Sequence, residues 1–162
     1  MPKMKIIFDG FEELTKQIEK AGRQIKPAVD EALLETQKII QQKVTAAASP
    51  YVRKGGGKGY STGAIYKAIL QDVHPEWKGT VATIDVGFDL TKRGGVHSIF
   101  LMYGTKAHIA KNQYGTPRKA GAKMTQIRAD KNIFNAIMGS QTKKEIADAQ
   151  EKILRNYLSI GG

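Results

Sequence analysis

Three histidines, His74, His97 and His108, are the side chains in this 162-residue chain best suited to metal binding or proton transfer. None lies three to five residues from another histidine or a carboxylate in a ligand pattern, except His74 beside Asp72 and Glu76. Lone histidines near loops read as surface or hydrogen-bonding residues. Asp85 and Asp89 could be paired carboxylates of a nuclease, but Asp85 alternates outward on a strand and Asp89 begins a turn, so solvation accounts for both. The glycine run Gly55-Gly56-Gly57-Lys58-Gly59 resembles a phosphate cradle and fails in detail. A P-loop needs Ser or Thr after its lysine, where Gly59 stands here, and a dinucleotide fingerprint must follow a strand with tighter spacing. With no cysteine, thiol nucleophiles, disulfides and thiolate metal sites are excluded. The residues point to no enzyme and no cofactor.

What remains is cationic. Tyr103-Gly104-Thr105-Lys106 opens a long stretch that repeats its own entry signal at Tyr114-Gly115-Thr116-Pro117. Lys92, Arg93, Lys106, Lys111, Arg118, Lys119 and Lys123 lie around these glycines, with no acidic residue from Thr91 to Ile127. The net charge of +11 is concentrated here: residues 51–131 carry +9, whereas residues 1–50 and 132–162 carry +1 each. Such a block attracts polyanions at long range. Arg53, Lys54 and Lys58 add a second basic, glycine-rich segment, and mobile loops are expected over about 51–63 and 104–128. Tyr51, Tyr60, Tyr103 and Tyr114 lie in or beside these segments. They could stack on single-stranded bases or equally anchor the loops to the domain.

The elements that must carry these loops are legible from periodicity. Lys3 to Phe8 reads as a short strand, and Asp9 with Glu12 as a capping box. Phe11, Leu14, Ile18, Ala21, Ile25, Ala28 and Ala32 form a helical stripe, continued on an adjacent line by Val29, Leu33, Thr36, Ile40, Val44 and Ala47. Pro27 predicts a kink or restart, hence helices over about 11–25 and 27–47. Ala64 to Val73 has no clear type. Ala82, Ile84, Val86 and Phe88 alternate with Val81, Thr83, Asp85 and Gly87, the best strand in the chain. Asp89 to Gly95 reads as a charged connection. Val96 to Tyr103 is too short to type: Ile99, Met102 and Tyr103 could share a helical face, but a strand is also open. Ile133, Phe134, Ile137 and Met138 make a brief helix ending at Gly139, and Thr142 with Glu145 predicts the cap of a last helix carrying Ile146, Ala149, Ile153 and Tyr157.

The fold class expected is α+β: a long kinked N-terminal helix and a C-terminal helix packed on a small antiparallel sheet, with long basic loops, in one domain over residues 1–162. Ordinary apolar and charged fractions, 41% and 25%, fit a globular chain of this length. The three strong apolar residues Ile6 to Phe8 are too few for a signal peptide, and no run of about 18 apolar residues predicts a membrane span.

The order of these features resembles the small neck or tail-completion proteins of long-tailed bacteriophages. Gly10-Phe11-Glu12-Glu13-Leu14 follows the opening strand; a long helix ends in the Ala-rich turn Ala46 to Pro50. Thr62-Gly63-Ala64-Ile65 leads into a segment reaching Ile69, then come the strand Val81 to Val86 and an apolar approach to Tyr-Gly-Thr, Phe100 to Thr105. The likeness covers roughly residues 5–106. The glycine-rich insertion at 53–60 lengthens a connection that is usually short. Many relatives carry a Pro-Phe-x-x-Pro-Ala stretch after Gly-Thr, whereas Ala129 to Ile137 here contains no proline.

The resemblance implies a structural virion protein made in the host cytoplasm, forming a homo-oligomeric ring of six or twelve subunits at the head–tail junction. Its partners would be the neighbouring neck or connector and tail-tube proteins, with non-specific contact to packaged DNA and none to a membrane. The basic segments, Arg53 to Lys58 and Lys92 to Lys123, would be its assembly or DNA-facing arms. A sequence-independent nucleic-acid-binding module is the alternative that the cationic block leaves open.

Overall fold

The computed structural model describes residues 5–7, 12–20, 25–51, 63–79, 81–109 and 124–159. In chain order the elements are β1 (Lys5–Ile7), α1 (Glu12–Lys20), α2 (Ile25–Ala48), a 3-10 turn (Ser49–Tyr51), α3 (Ala64–Lys67), β2 (Glu76–Lys78), β3 (Val81–Asp85), α4 (Arg93–Tyr103), β4 (His108–Ile109), β5 (Met124–Thr125), α5 (Lys131–Met138) and α6 (Ser140–Ser159). The α+β class is as expected, with long helices towards both ends of the chain and a small antiparallel sheet; α2 meets that sheet through β3, while the C-terminal helix α6 packs on α2, α5 and α1.

The axis of the fold is α2, 24 residues and therefore about 36 Å long. Its buried positions, Ala28, Val29, Ala32, Leu33, Thr36, Gln37, Ile40, Val44 and Ala48, make a stripe broad enough to meet α5 and α6 on one side and β3 on another. Pro27 does not interrupt this helix. It stands in the first turn of α2, where the missing amide has no intrahelical acceptor to lose. The Asp9–Glu12 capping box lies outside the described residues.

In the three-stranded sheet, ordered β1-β3-β2 and antiparallel throughout, β3 is central. Lys5 pairs with Asp85 and Trp77 with Ala82. The alternation holds: Ala82, Ile84, Val86 and Phe88 are all buried. Asp85, expected to face outward, is half-buried. A strand absent from the sequence reading, β2, turns into β3 at Gly79, whose φ of +63° favours glycine.

Two polar pins cross the core. Thr36 donates to the Ala32 carbonyl (2.8 Å) and accepts from the Gln150 amide of α6 (2.9 Å), both side chains buried. Gln37 donates to the carbonyls of Leu70 (3.3 Å) and Gln71 (2.9 Å), fixing the segment after α3 onto α2. The buried line of α6 is Thr142, Ile146, Gln150 and Leu154, with Ile153 and Tyr157 half-buried beside it and Ala149 also half-buried. The expected capping box at Thr142 and Glu145 does not form. With α5 ending at Met138, α6 begins already at Ser140; the Thr142 hydroxyl donates to the Asn135 carbonyl (2.9 Å) and Glu145 pairs with Lys43 of α2 (2.8 Å).

Candidate assembly surface

The expected connection before Val96 is part of a helix. Arg93 and both following glycines belong to α4, which runs to Tyr103. Glycine is normally a poor opening for a helix, and close approach explains it here. A Cβ on Gly94 would lie 1.9 Å from the Ala64 carbonyl oxygen, and one on Gly95 1.9 Å from that of Asp89. The first turn of α4 is thus pressed backbone to backbone against α3 and the Asp89 turn. Asp89 organises that turn by accepting from the Thr91 amide (3.0 Å) and hydroxyl (2.6 Å), with Lys92 beyond at 3.5 Å. The bonds from Thr91 hold its carboxyl below the usual carboxylate range.

Gly94, Gly95, Ser98 and Met102 form the inner face of α4. Ile99, Met102 and Tyr103 do not act as one buried face: Met102 is buried, Ile99 half-buried, and Tyr103 exposed. The outer face carries Val96, Phe100 and Tyr103, at 42%, 41% and 61% exposure. Tyr103 keeps one edge against Phe134 of α5, ring centres 5.9 Å apart and 78° between planes.

After Tyr103 the chain turns at Gly104, φ +72°, whose amide donates to the Phe100 carbonyl (2.8 Å). A Cβ there would meet the Ile127 carbonyl oxygen at 2.9 Å, a second reason for glycine. Thr105 then closes a clasp: its amide donates to the Ile127 carbonyl (2.9 Å) and its hydroxyl accepts from the Ile127 amide (3.0 Å). Beyond it β4 pairs with β5, His108 with Thr125 and Ile109 with Met124. The long loop expected over 104–128 therefore starts and ends in a paired ribbon. In the first Tyr-Gly-Thr, Tyr103 ends α4, Gly104 caps it and turns the chain, and Thr105 makes the clasp.

One further residue ties this base to the other basic segment. Asp130 caps α5 by accepting from the Asn132 amide (2.8 Å), and its own amide donates to the Leu101 carbonyl in the last turn of α4 (2.6 Å). Its other carboxylate oxygen accepts from the Tyr51 hydroxyl (2.6 Å). Burial, then the bond to Asp130, pushes the Tyr51 phenol up to about 12. Tyr51 immediately precedes the segment 52–62, and the residue after Gly63 is Ala64, packed on Gly94. The two roots of the glycine-rich segment are neighbours, the Ser49–Tyr51 turn lying in contact with α3, and each is tied to α4: Tyr51 through Asp130 to Leu101, and Ala64 directly on Gly94. The long basic segment is rooted at the same helix, through Gly104 and Asp130.

Of the basic and aromatic residues singled out from the sequence, Lys92 and Arg93 are exposed at the start of α4, Tyr103, Gly104 and Thr105 form its end, and Lys106 is exposed beyond. Arg53, Lys54, Lys58, Lys111, Tyr114, Arg118, Lys119 and Lys123 lie outside the described residues. Asp130, Val96 and Phe100 were missed. Phe100 is one helical turn before Tyr103 and Val96 one turn earlier, a spacing that would have revealed the outer stripe. Among the described residues no group of three His, Cys, Asp or Glu side chains could hold a metal ion, and no helix is long and apolar enough to cross a membrane. Comparison with family models, with curated proteins and with solved structures finds no match to this chain.

Proposed function

We propose that this chain is a structural virion protein of a tailed bacteriophage, assembling into a ring at the head–tail junction and joining connector to tail tube around the DNA channel. The observation that carries the reading is that both basic glycine-rich segments are rooted on one helix, α4, which is itself locked by backbone packing. A subunit that must meet neighbours above, below and beside it needs extended contact segments on a rigid mount. Segments that order on assembly meet that need at an entropic cost offset by the interface. The order of sequence features, resembling neck and tail-completion proteins, supports the same role. The cationic residues along the segments suit a surface facing DNA or an acidic neighbouring ring.

The test is direct. Negative-stain microscopy of the purified protein, alone and with a neighbouring neck or tail protein, is expected to show rings, and purified virions are expected to contain the chain at a fixed small copy number. A strict monomer that joins neither partner nor virion refutes the reading. The exposure of Tyr103 beside cationic Lys106 favours one second reading, a sequence-independent nucleic-acid-binding module. That reading requires affinity for duplex or single strands that falls steeply with salt. Undetectable affinity at moderate salt removes it.

A further inference from the structure

We infer that the outer face of α4 is one half of a head-to-tail contact between copies of this chain, and that the other half surrounds Leu34 on the outer face of α2. The inference rests on the ring reading and names the two surfaces that build it.

The α4 half is apolar at its centre and cationic at its rim. Val96, Phe100 and Tyr103 follow one another at i, i+4 and i+7, so they form a continuous exposed ridge. Lys92 and Arg93 flank one end and Lys106 the other. The two nearest carboxylates are committed inward, Asp89 to Thr91 and Lys92, Asp130 to Tyr51 and Asn132. Two such faces brought together would set like charge against like, which opposes a symmetric α4–α4 pairing. The surface that fits is apolar with an acidic border.

This chain carries one. Leu34 is 41% exposed on α2, and Asp30, Glu31 and Glu35 lie four residues before, three before and one after it. Asp30 accepts from the Trp77 indole (2.7 Å), whose ring has Lys26 at 5.7 Å, and Glu31 from the Tyr157 hydroxyl (2.9 Å); both donors are neutral, so these bonds themselves cancel neither carboxylate charge. Among the described residues, Glu35 is the one of the three with an ion pair, to Lys38 at 3.5 Å. Because α4 rests on α3 and α5, the two patches belong to separate elements and both are exposed in a single copy. Two different, complementary patches make a heterologous contact, the kind that propagates from copy to copy and closes into a ring.

Two single variants of the full chain test this, Phe100→Glu on the ridge and Leu34→Lys on the acidic patch. Both side chains are exposed, and unchanged circular dichroism and melting will establish that each variant folds. Sedimentation velocity of the wild type is expected to show an oligomer, while each variant alone associates at least about 30-fold more weakly, the scale of losing a central hot spot. The decisive sample is their equimolar mixture. The Phe100→Glu copy retains its Leu34 patch and the Leu34→Lys copy retains its ridge, so the mixture forms dimers and stops there. A symmetric interface would not be rescued by mixing. Wild-type rings that persist in either variant overturn this contact while leaving the ring reading intact. A wild type that stays monomeric in sedimentation overturns the contact, and absence of the chain from virions separately overturns the ring reading. Loss of DNA affinity in Phe100→Glu without any change in association overturns it in favour of a nucleic-acid surface.

Discussion

Removing the hydroxyl that ties Tyr51 to Asp130, by Tyr51→Phe, probes the mount most cleanly. The bond to Asp130 is short, 2.6 Å, and its acceptor is a carboxylate. Bonds to charged acceptors contribute about 1.5–3 kcal/mol. Tyr51 is only half-buried, so water recovers part of that, and a loss of about 1–1.5 kcal/mol is expected near neutral pH. Asp130→Ala removes the same bond and the cap of α5, adding roughly 1 kcal/mol. Asp130→Asn keeps one oxygen, enough to cap α5, but puts an NH2 in place of the oxygen that accepts from Tyr51, so it should cost about as much as Tyr51→Phe and less than Asp130→Ala. The pH dependence supplies an independent check. The phenol is raised from its ordinary value of 10 to about 12, so the folded chain holds this proton more tightly than the unfolded one. The resulting stability is fully present below pH 10 and is lost as pH climbs towards 12. At full strength the displacement corresponds to about 2.7 kcal/mol, and solvent screening of a half-exposed pair reduces it to about 1 kcal/mol. Urea unfolding of wild type and Tyr51→Phe across this range should give a difference that is constant below pH 10 and shrinks above it. In Asp130→Ala part of the slope should survive, because burial is the larger cause. A Tyr51→Phe protein equal in stability to wild type, with a difference flat in pH, would show that the bond does not hold the segment's root.

Gly94→Ala places a Cβ against the Ala64 carbonyl and forces α3 and α4 apart; a loss of about 2–4 kcal/mol, roughly 6–12 °C in melting temperature, is expected by calorimetry. An unchanged melting temperature would mean that α4 is not seated as described. Thr36→Val strips the buried Gln150 amide of its acceptor, at about 1–3 kcal/mol, whereas pairing it with Gln150→Leu should recover most of the loss. Equal losses in the single and double variants, measured by urea unfolding, would refute the coupling.

Where burial is one-sided and the element regular, the sequence was readable. The stripes of α2 and the alternation of β3 have hydrophobic periods that only one secondary structure satisfies, and the structure buries those side chains. Local rules failed where a tertiary contact outranked them. Pro27 reads as a breaker but is harmless in a first turn. Thr142 and Glu145 have capping-box spacing, but α6 starts earlier, and both side chains find partners on α5 and α2. Gly94 and Gly95 look like loop residues because their purpose, backbone contact with Ala64 and Asp89, has no local signature. For the candidate surface, composition marked the cationic residues but not their placement. Tyr51 and Asp130 are 79 residues apart, and only the fold brings them together.

The clasp at the base of the long basic segment bears on what that segment is for. Pairing through Thr105, Ile127 and the β4–β5 ribbon reduces the stretch between anchors from 25 residues to the 14 from 110 to 123. Loop-closure entropy depends only logarithmically on length, so this shortening gains about 0.5 kcal/mol. That is less than a single ordered residue costs, about 1–2 kcal/mol of backbone entropy. The ribbon therefore has no justification as a device for closing a loop. What it does fix is position: the chain leaves at Ile109 and returns at Met124, from a helix end held by Gly104 and Asp130. A solubilising loop has no use for a defined point of departure, whereas a contact segment that must meet a neighbour in register does. This supports the proposal that the basic stretch is an assembly element, and it places the first mutations at the clasp, in Thr105, before the lysines beyond it.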